Sequence, residues 1–224
     1  MEWSGLSVPV GDVVAHRGLW GHGSQPNSAA AILEALGQGL GIETDIRDHQ
    51  GRVVISHDPP GGGEPDLTSL LQWHRGASSL LALNIKADGL ASEIGRQLSI
   101  HGANEAFVFD MSFPQARLLA LSGIPLATRV SEYEPVEHAF AGPYADSQYL
   151  WVDCFESDWF LSDTALVAAL YGRTAVLVSP EIHGRAVEES WDWVCRMRLL
   201  GHRVGVCTDR PLEFCAWQKD HFTT

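Results

Sequence analysis

Short runs rich in β-branched and aromatic residues recur along the chain, separated by turn signals and by stretches with helical spacing of apolar positions. The runs fall at 12–16 (DVVAH), 41–47 with a partner at 52–57, 80–86 (LLALNIK), 106–111 (AFVFDM), 125–130 (PLATRV), 149–155 (YLWVDCF), 174–179 (TAVLVS) and 203–208 (RVGVCT), and they predict strands. Helices are predicted for AAAILEALGQG after Asn27-Ser28, for TALVAALYG after Ser162-Asp163, and over 189–200, each with Gly near its end. Residues 133–148 are the weakest unit. Strands alternating with helices imply parallel pairing. Eight such units in 224 residues suit a compact (β/α)8 TIM barrel, a single α/β domain over 1–224 without a linker.

A parallel barrel constrains its polar residues, because groups that do chemistry stand at the C-terminal ends of strands, where the βα loops begin. Here the strand ends read His16-Arg17, Glu43-x-Asp45, His57-Asp58, Asn84-x-Lys86, Asp110, Arg129-x-x-Glu132, Asp153, Ser179-x-Glu181 and Thr208-Asp209-Arg210. The densest stretch is GIETDIRDHQGRVVISHD, residues 41–58. Residues two apart on a strand share a face, so Glu43 and Asp45 project to the same side. Neighbouring carboxylates repel each other and favour a cation, either a metal ion or a guanidinium from Arg17, Arg47 or Arg52. Convergence of the other strand ends on one mouth favours the metal, and two histidines at strand ends, His16 and His57, favour chemistry over core packing.

Arg129 and Glu181 are candidate pocket residues, with Glu132, His183, Asp209 and Arg210 as further groups at the same mouth. His22 and His49 read as solvated. Trp20, Trp151, Trp159 and Trp191 read as packing residues, with Trp20 close enough to the turn after His16 to touch a ligand. PPGGG at 59–63 reads as a flexible segment and lacks the Lys-Ser/Thr ending of a phosphate-binding loop.

Charge narrows the partners. The formal net charge is −13, from 15 basic and 28 acidic residues, and no Lys/Arg cluster stands out, which argues against nucleic acid or an anionic membrane surface. An anionic small molecule remains open, because a bound metal and a few placed cationic side chains reverse the potential locally. No run approaches the roughly 18 apolar residues of a membrane span. The N-terminus, MEWSGLSVPVGDVV, lacks the basic segment and apolar stretch of a secretory signal, so a cytoplasmic protein is expected. Cys154, Cys195, Cys207 and Cys215 have no CxxC spacing and read as reduced, buried thiols.

AHRG at 15–18, PNS at 26–28, E-x-D at 43–45, HD at 57–58, Lys86 and TDRP at 208–211, taken in order over nearly the whole chain, resemble the glycerophosphodiester phosphodiesterase family. These are phosphodiesterase barrels of the phosphatidylinositol phospholipase C-like kind. The resemblance implies a (β/α)8 barrel, a small-molecule phosphodiester substrate, a divalent metal (Mg²⁺ or Ca²⁺) and a place in lipid metabolism. Carried over by position, it implies His16 and His57 as an acid/base pair, Glu43 and Asp45 as metal ligands, Asn84 at the third ligand position and Lys86 as the strand lysine. Two features depart from the family. Asn84 stands where the family has an acid, and an amide oxygen coordinates without contributing charge. After His57-Asp58 the chain runs almost directly to the next strand, where the family has a longer region that helps recognise glycerol.

Hydrolysis of a phosphodiester needs charge neutralisation, a base and an acid. A cation at Glu43 and Asp45, with Arg17 and Lys86 bonding the phosphate, supplies the first. Two imidazoles, with an unperturbed pKa of about 6.5, supply the others. A hydroxyl beside the ester attacking first leads to a cyclic phosphate, so a lyase-like transferase is one alternative. A non-catalytic phosphate-binding barrel is another. Oligomeric state is left open by the sequence.

Overall fold

The computed structural model describes residues 9–21, 23–103 and 105–222; the first eight residues and His22, on which two of the readings above fall, lie outside them. The strands are β1 (Val13–His16), β2 (Gly41–His49), β3 (Arg52–Ile55), β4 (Leu81–Ile85), β5 (Ala106–Phe109), β6 (Ala127–Val130), β7 (Tyr149–Val152), β8 (Thr174–Val178) and β9 (Arg203–Thr208). Eight of them form the row β5-β4-β2-β1-β9-β8-β7-β6, with every neighbouring pair parallel. The ends of the row meet where the Val108 N–H donates to the Pro125 carbonyl (3.0 Å), beside a parallel bridge from Val108 to Leu126. The sheet is thus closed into the expected (β/α)8 barrel, which removes both exposed edges.

β3 is the exception, pairing antiparallel with the far end of β2 from Ile46↔Ile55 to His49↔Arg52. The turn between them is Gln50-Gly51, with φ of 49° and 78°. Positive φ at both central residues suits the right-handed twist of a two-residue hairpin.

The helices are α1 (Ala29–Gly37), α2 (Leu67–Trp73), α3 (Ala91–His101), α4 (Phe113–Leu121), α5 (Thr164–Ala169), α6 (Glu188–Leu199) and α7 (Pro211–Phe222). Ser28, Asp66, Ser112 and Asp163 cap four of them, each side chain accepting from the backbone N–H three residues on. Two elements differ from expectation. The 133–148 unit contains only short 3₁₀ turns, Val136–Phe140 and Gly142–Tyr144, and the segment after His57-Asp58 folds a helix, α2. None of the described helices is long and apolar enough to cross a membrane. Cys154, Cys195 and Cys207 are buried free thiols, while Cys215 is half-buried.

Strand alternation divides the core in two. Ala15, Ile42, Ile46, Leu81 and Leu83 pack outward with helix residues such as Ile32, Leu70, Ile94, Leu119 and Val194. Val14, Ala82, Phe107, Phe109, Trp151, Val176 and Cys207 fill the barrel. Phe107 stacks on Tyr149 (4.5 Å) and Phe109 on Trp151 (4.1 Å), so aromatic bulk crowds the β5 and β7 side. Glu43 is in register with inward-facing Ala82, which puts Glu43 and Asp45 inside the barrel, on the side without that bulk.

Candidate active site at the barrel mouth

The turn after β1 builds the rim. Arg17 and Gly18 both take positive φ, 59° and 84°, and a Cβ on Gly18 would lie 2.7 Å from the backbone carbon of Ala31 in α1. Only glycine suits this position. The Arg17 N–H donates to the Glu43 carbonyl (2.9 Å) and its carbonyl accepts from Asn27 N–H (2.9 Å), so both residues are fastened over β2. The non-glycine residues with positive φ among those described are Arg17, Asn27, Asp110 and Gln50. Three of these belong to the mouth, where strained backbone tends to concentrate.

His16 lies in register with Glu43 on the neighbouring strand. Its Nδ1 is 2.7 Å from Asp209 Oδ1 and its Nε2 is 3.9 Å from Glu43 Oε2. A carboxylate accepting from Nδ1–H makes Nε2 the free nitrogen of the neutral ring. Asp209 is braced in turn: its N–H donates to Glu181 Oε1 (3.1 Å), and the hydroxyls of Ser179 and Thr208 also donate to Glu181. Burial opposes the charged form of His16, but the hydrogen bond to Asp209 and the charges on Glu43 and Asp209 outweigh it and raise its pKa. Burial pushes the Glu43 carboxyl up to about 7, with the His16 charge pulling it back and Asp45 adding to the rise.

Asp45, only 1% exposed, is surrounded by donors. Asn27 Nδ2 donates to Oδ2 (2.8 Å), Arg17 Nε lies 3.2 Å from Oδ2, and Lys86 Nζ is 3.4 Å from Oδ1. Thr44 holds the Asn27 amide by donating to its Oδ1 (2.7 Å). The ion-pair alternative is therefore realised through Arg17, while Arg47 donates to the His57 carbonyl (2.8 Å) and Arg52 pairs with Asp66. Asn84 is in register with Asp45, and its Nδ2 donates to Asp110 Oδ2 (3.2 Å). Arg129 bridges Asp110 (2.9 Å) and Glu134 (2.6 Å).

His57 is brought toward this group by the hairpin, where Ser56 N–H donates to the Asp45 carbonyl (3.0 Å). The ring is 45% exposed, its Nδ1 is 3.0 Å from Asp58 Oδ1, and it shares a cleft of ≈ 470 Å³ with Arg17 and Asn27. A second cleft of ≈ 530 Å³ opens between Trp20, Glu34, Arg210 and Asp209, the partner of His16. Trp20 is tied there by its Nε1–H, which donates to the His16 carbonyl (2.9 Å). The other candidates go elsewhere: His183 bonds Asp153 (2.8 Å), Arg210 pairs with Glu213, and Glu132 accepts from the N–H groups of Phe155, Glu156 and Ser157.

Among the described residues, no group of three or more His, Cys, Asp or Glu side chains is placed to hold a metal ion. The predicted set is instead two carboxylates and one amide. Asn84 Oδ1 is buried without a hydrogen bond, and Asp45 Oδ1, on the neighbouring strand, is met by the Lys86 ammonium at 3.4 Å. A buried amide oxygen left unpaired calls for an explanation, and an all-oxygen set of Glu43, Asp45 and Asn84 fits a hard cation such as Mg²⁺ or Ca²⁺.

Three residues that hold the site together carry little weight in the sequence reading. It gives Asn27 to helix capping, Asp209 to the margin of the mouth and Asp110 no role beyond a strand end. Their signals are the PNS and TDRP segments and an acid immediately after β5.

No family model and no curated protein matches the sequence. Solved structures resemble its fold, two glycerophosphodiester phosphodiesterases among them. A glycerophosphodiester phosphodiesterase from Agrobacterium tumefaciens superposes with a TM-score of 0.65 at 17% identity, covering 91% of this chain and 98% of that one. A glycerophosphoryl diester phosphodiesterase from Parabacteroides distasonis gives 0.66 at 16% identity, covering 95% of this chain and 87% of that one.

Proposed function

We propose that this chain is a phosphoric diester hydrolase of the glycerophosphodiester type, acting on a small phosphodiester at the barrel mouth. The observation that carries the reading is the His16–Asp209 pair at 2.7 Å, whose opposite ring nitrogen lies 3.9 Å from the buried Glu43 carboxyl. A carboxylate, an oriented imidazole and nearby cationic side chains form a proton-transfer site for an anionic substrate. The two structural neighbours bearing that name support the same choice.

Arg17 and Lys86, held at the mouth by Asp45, bind the non-bridging oxygens of the phosphate. His16, kept toward its charged form, donates a proton to the leaving alkoxide. His57, in the cleft with Arg17, takes a proton from the attacking water. Glu43, Asp45 and Asn84 would hold a divalent cation, which when bound would neutralise charge on the phosphoryl group. Asn84 adds no charge to that set, so the metal is held less tightly than by three carboxylates.

The test is a hydrolysis screen over glycerophosphodiesters and simpler diesters, with EDTA and with added Mg²⁺, Mn²⁺ or Ca²⁺. Turnover lost in EDTA and restored by one of the ions is expected. A folded protein that hydrolyses none of them would overturn the reading, and ³¹P NMR showing only a cyclic product would replace hydrolysis by the lyase chemistry.

A further inference from the structure

We infer that Asp110 is a positioning residue that orients the Asn84 amide, turning its oxygen rather than its NH₂ toward the space beside Asp45. The inference rests on the metal-dependent reading above and identifies what makes an asparagine usable at that position. A carboxylate there would need no such help, because its two oxygens are alike. An amide has a donor end and an acceptor end of nearly the same shape, and its neighbours decide which end faces a cation.

Asn84 is 8% exposed, so bulk water has little part in that choice. Its Nδ2 donates to Asp110 Oδ2 at 3.2 Å, and its Oδ1 is buried without a partner. In the flipped orientation the amide oxygen would meet the Asp110 carboxylate, acceptor against acceptor, and the NH₂ would point at the metal position. Both contacts are unfavourable. Asp110 is itself held in place, by Arg129 at 2.9 Å and by a backbone in the left-handed region at φ 63°. Arg129, a pocket candidate on sequence grounds, is anchored on its other side by Glu134 at 2.6 Å. The chain Glu134–Arg129–Asp110–Asn84 is thus an outer support for a ligand, of the kind whose loss commonly weakens metal affinity by roughly 10- to 100-fold.

The test is Mn²⁺ binding, read by the electron paramagnetic resonance signal of the free ion, in a double-mutant cycle of Asp110→Gly and Asn84→Asp. Glycine accepts the left-handed backbone, so the variant removes the carboxylate without adding strain. In the wild-type background, Asp110→Gly is expected to weaken Mn²⁺ binding roughly 10- to 100-fold, and Asp110→Asn, which keeps an oxygen acceptor, to recover most of it. In the Asn84→Asp background the same change should cost several-fold at most. An equal loss in both backgrounds would mean that Asp110 acts through its charge alone and would overturn the inference. Unchanged affinity in the wild-type background would overturn it too, leaving the metal reading intact. A wild-type protein that binds no Mn²⁺ at millimolar concentration would overturn both. A check that needs no variant is ¹⁵N NMR of the wild-type side-chain amides: an Asn84 NH₂ without hydrogen-bond protection would refute the contact with Asp110.

Discussion

Replacing Asp209 by Asn tests the contact on which the proposed chemistry depends. The two side chains are nearly isosteric, so packing is conserved while the charge disappears. The Asn amide no longer supplies the negative charge that favours the imidazolium, the form His16 needs as the acid that protonates the leaving alkoxide. A hydrogen bond to a charged group contributes about 1.5–3 kcal/mol net. Here the partners are 18% and 27% exposed, so solvent screening favours the lower part of that range, about 1.5–2 kcal/mol. If all of it is lost from the transition state, kcat falls about 10- to 30-fold. The His16 pKa should fall, which NMR titration of its ring resonances measures directly. The sign of the stability effect follows. A histidine whose folded pKa is raised above the ordinary 6.5 stabilises the protein fully below that ordinary value, and loses the contribution as pH rises through the raised value. Wild type should therefore exceed Asp209→Asn in Tm most clearly near pH 5–6, with a gap that narrows toward pH 8. A His16 titration indistinguishable from wild type, or a Tm gap that widens with pH, would refute the assigned hydrogen bond.

His16→Ala and His57→Ala should each lower kcat by roughly 10²- to 10⁴-fold with the fold preserved, and near wild-type turnover by either variant would remove that residue from the mechanism. A p-nitrophenyl diester, whose leaving group needs no proton, should lessen the His16→Ala defect but not the His57→Ala defect; the reverse pattern would exchange the two roles. Glu43→Gln should stabilise the metal-free protein at pH 8 by an amount on the order of 1–3 kcal/mol. The folded carboxyl holds its proton up to about 7 against an ordinary 4.5, so ionisation across that interval favours the unfolded chain. The advantage should vanish near pH 4.5, and denaturant melts in EDTA at both pH values decide it. Gly18→Ala, which adds a Cβ 2.7 Å from Ala31 backbone at φ 84°, should cost about 2–4 kcal/mol in urea unfolding; a loss below half of that would mean the turn relaxes freely.

The sequence by itself determined the barrel and the strand ends at which its polar side chains gather. Runs of β-branched residues repeat often enough to identify every barrel strand, and period-two spacing places Glu43 and Asp45 on one face whatever the rest of the chain does. It did not identify α2, because a seven-residue helix is too short for helical periodicity to register, although its Asp66 cap is visible. Nor could it assign partners. Arg17, Arg47 and Arg52 were equal candidates for the acidic pair until the left-handed turn at Arg17 and Gly18 brought one guanidinium over Asp45 and the hairpin took the others to His57 and Asp66. The His16–Asp209 pair joins residues 193 apart, and exists because closure sets β1 beside β9. In the sequence Asn84 is a simple loss of charge; its amide acquires a direction only when β5 carries Asp110 alongside it. Strand faces follow from local stereochemistry, which is written residue by residue. Hydrogen-bond partners depend on which strands become neighbours and how their ends turn, and both are settled only when the barrel closes.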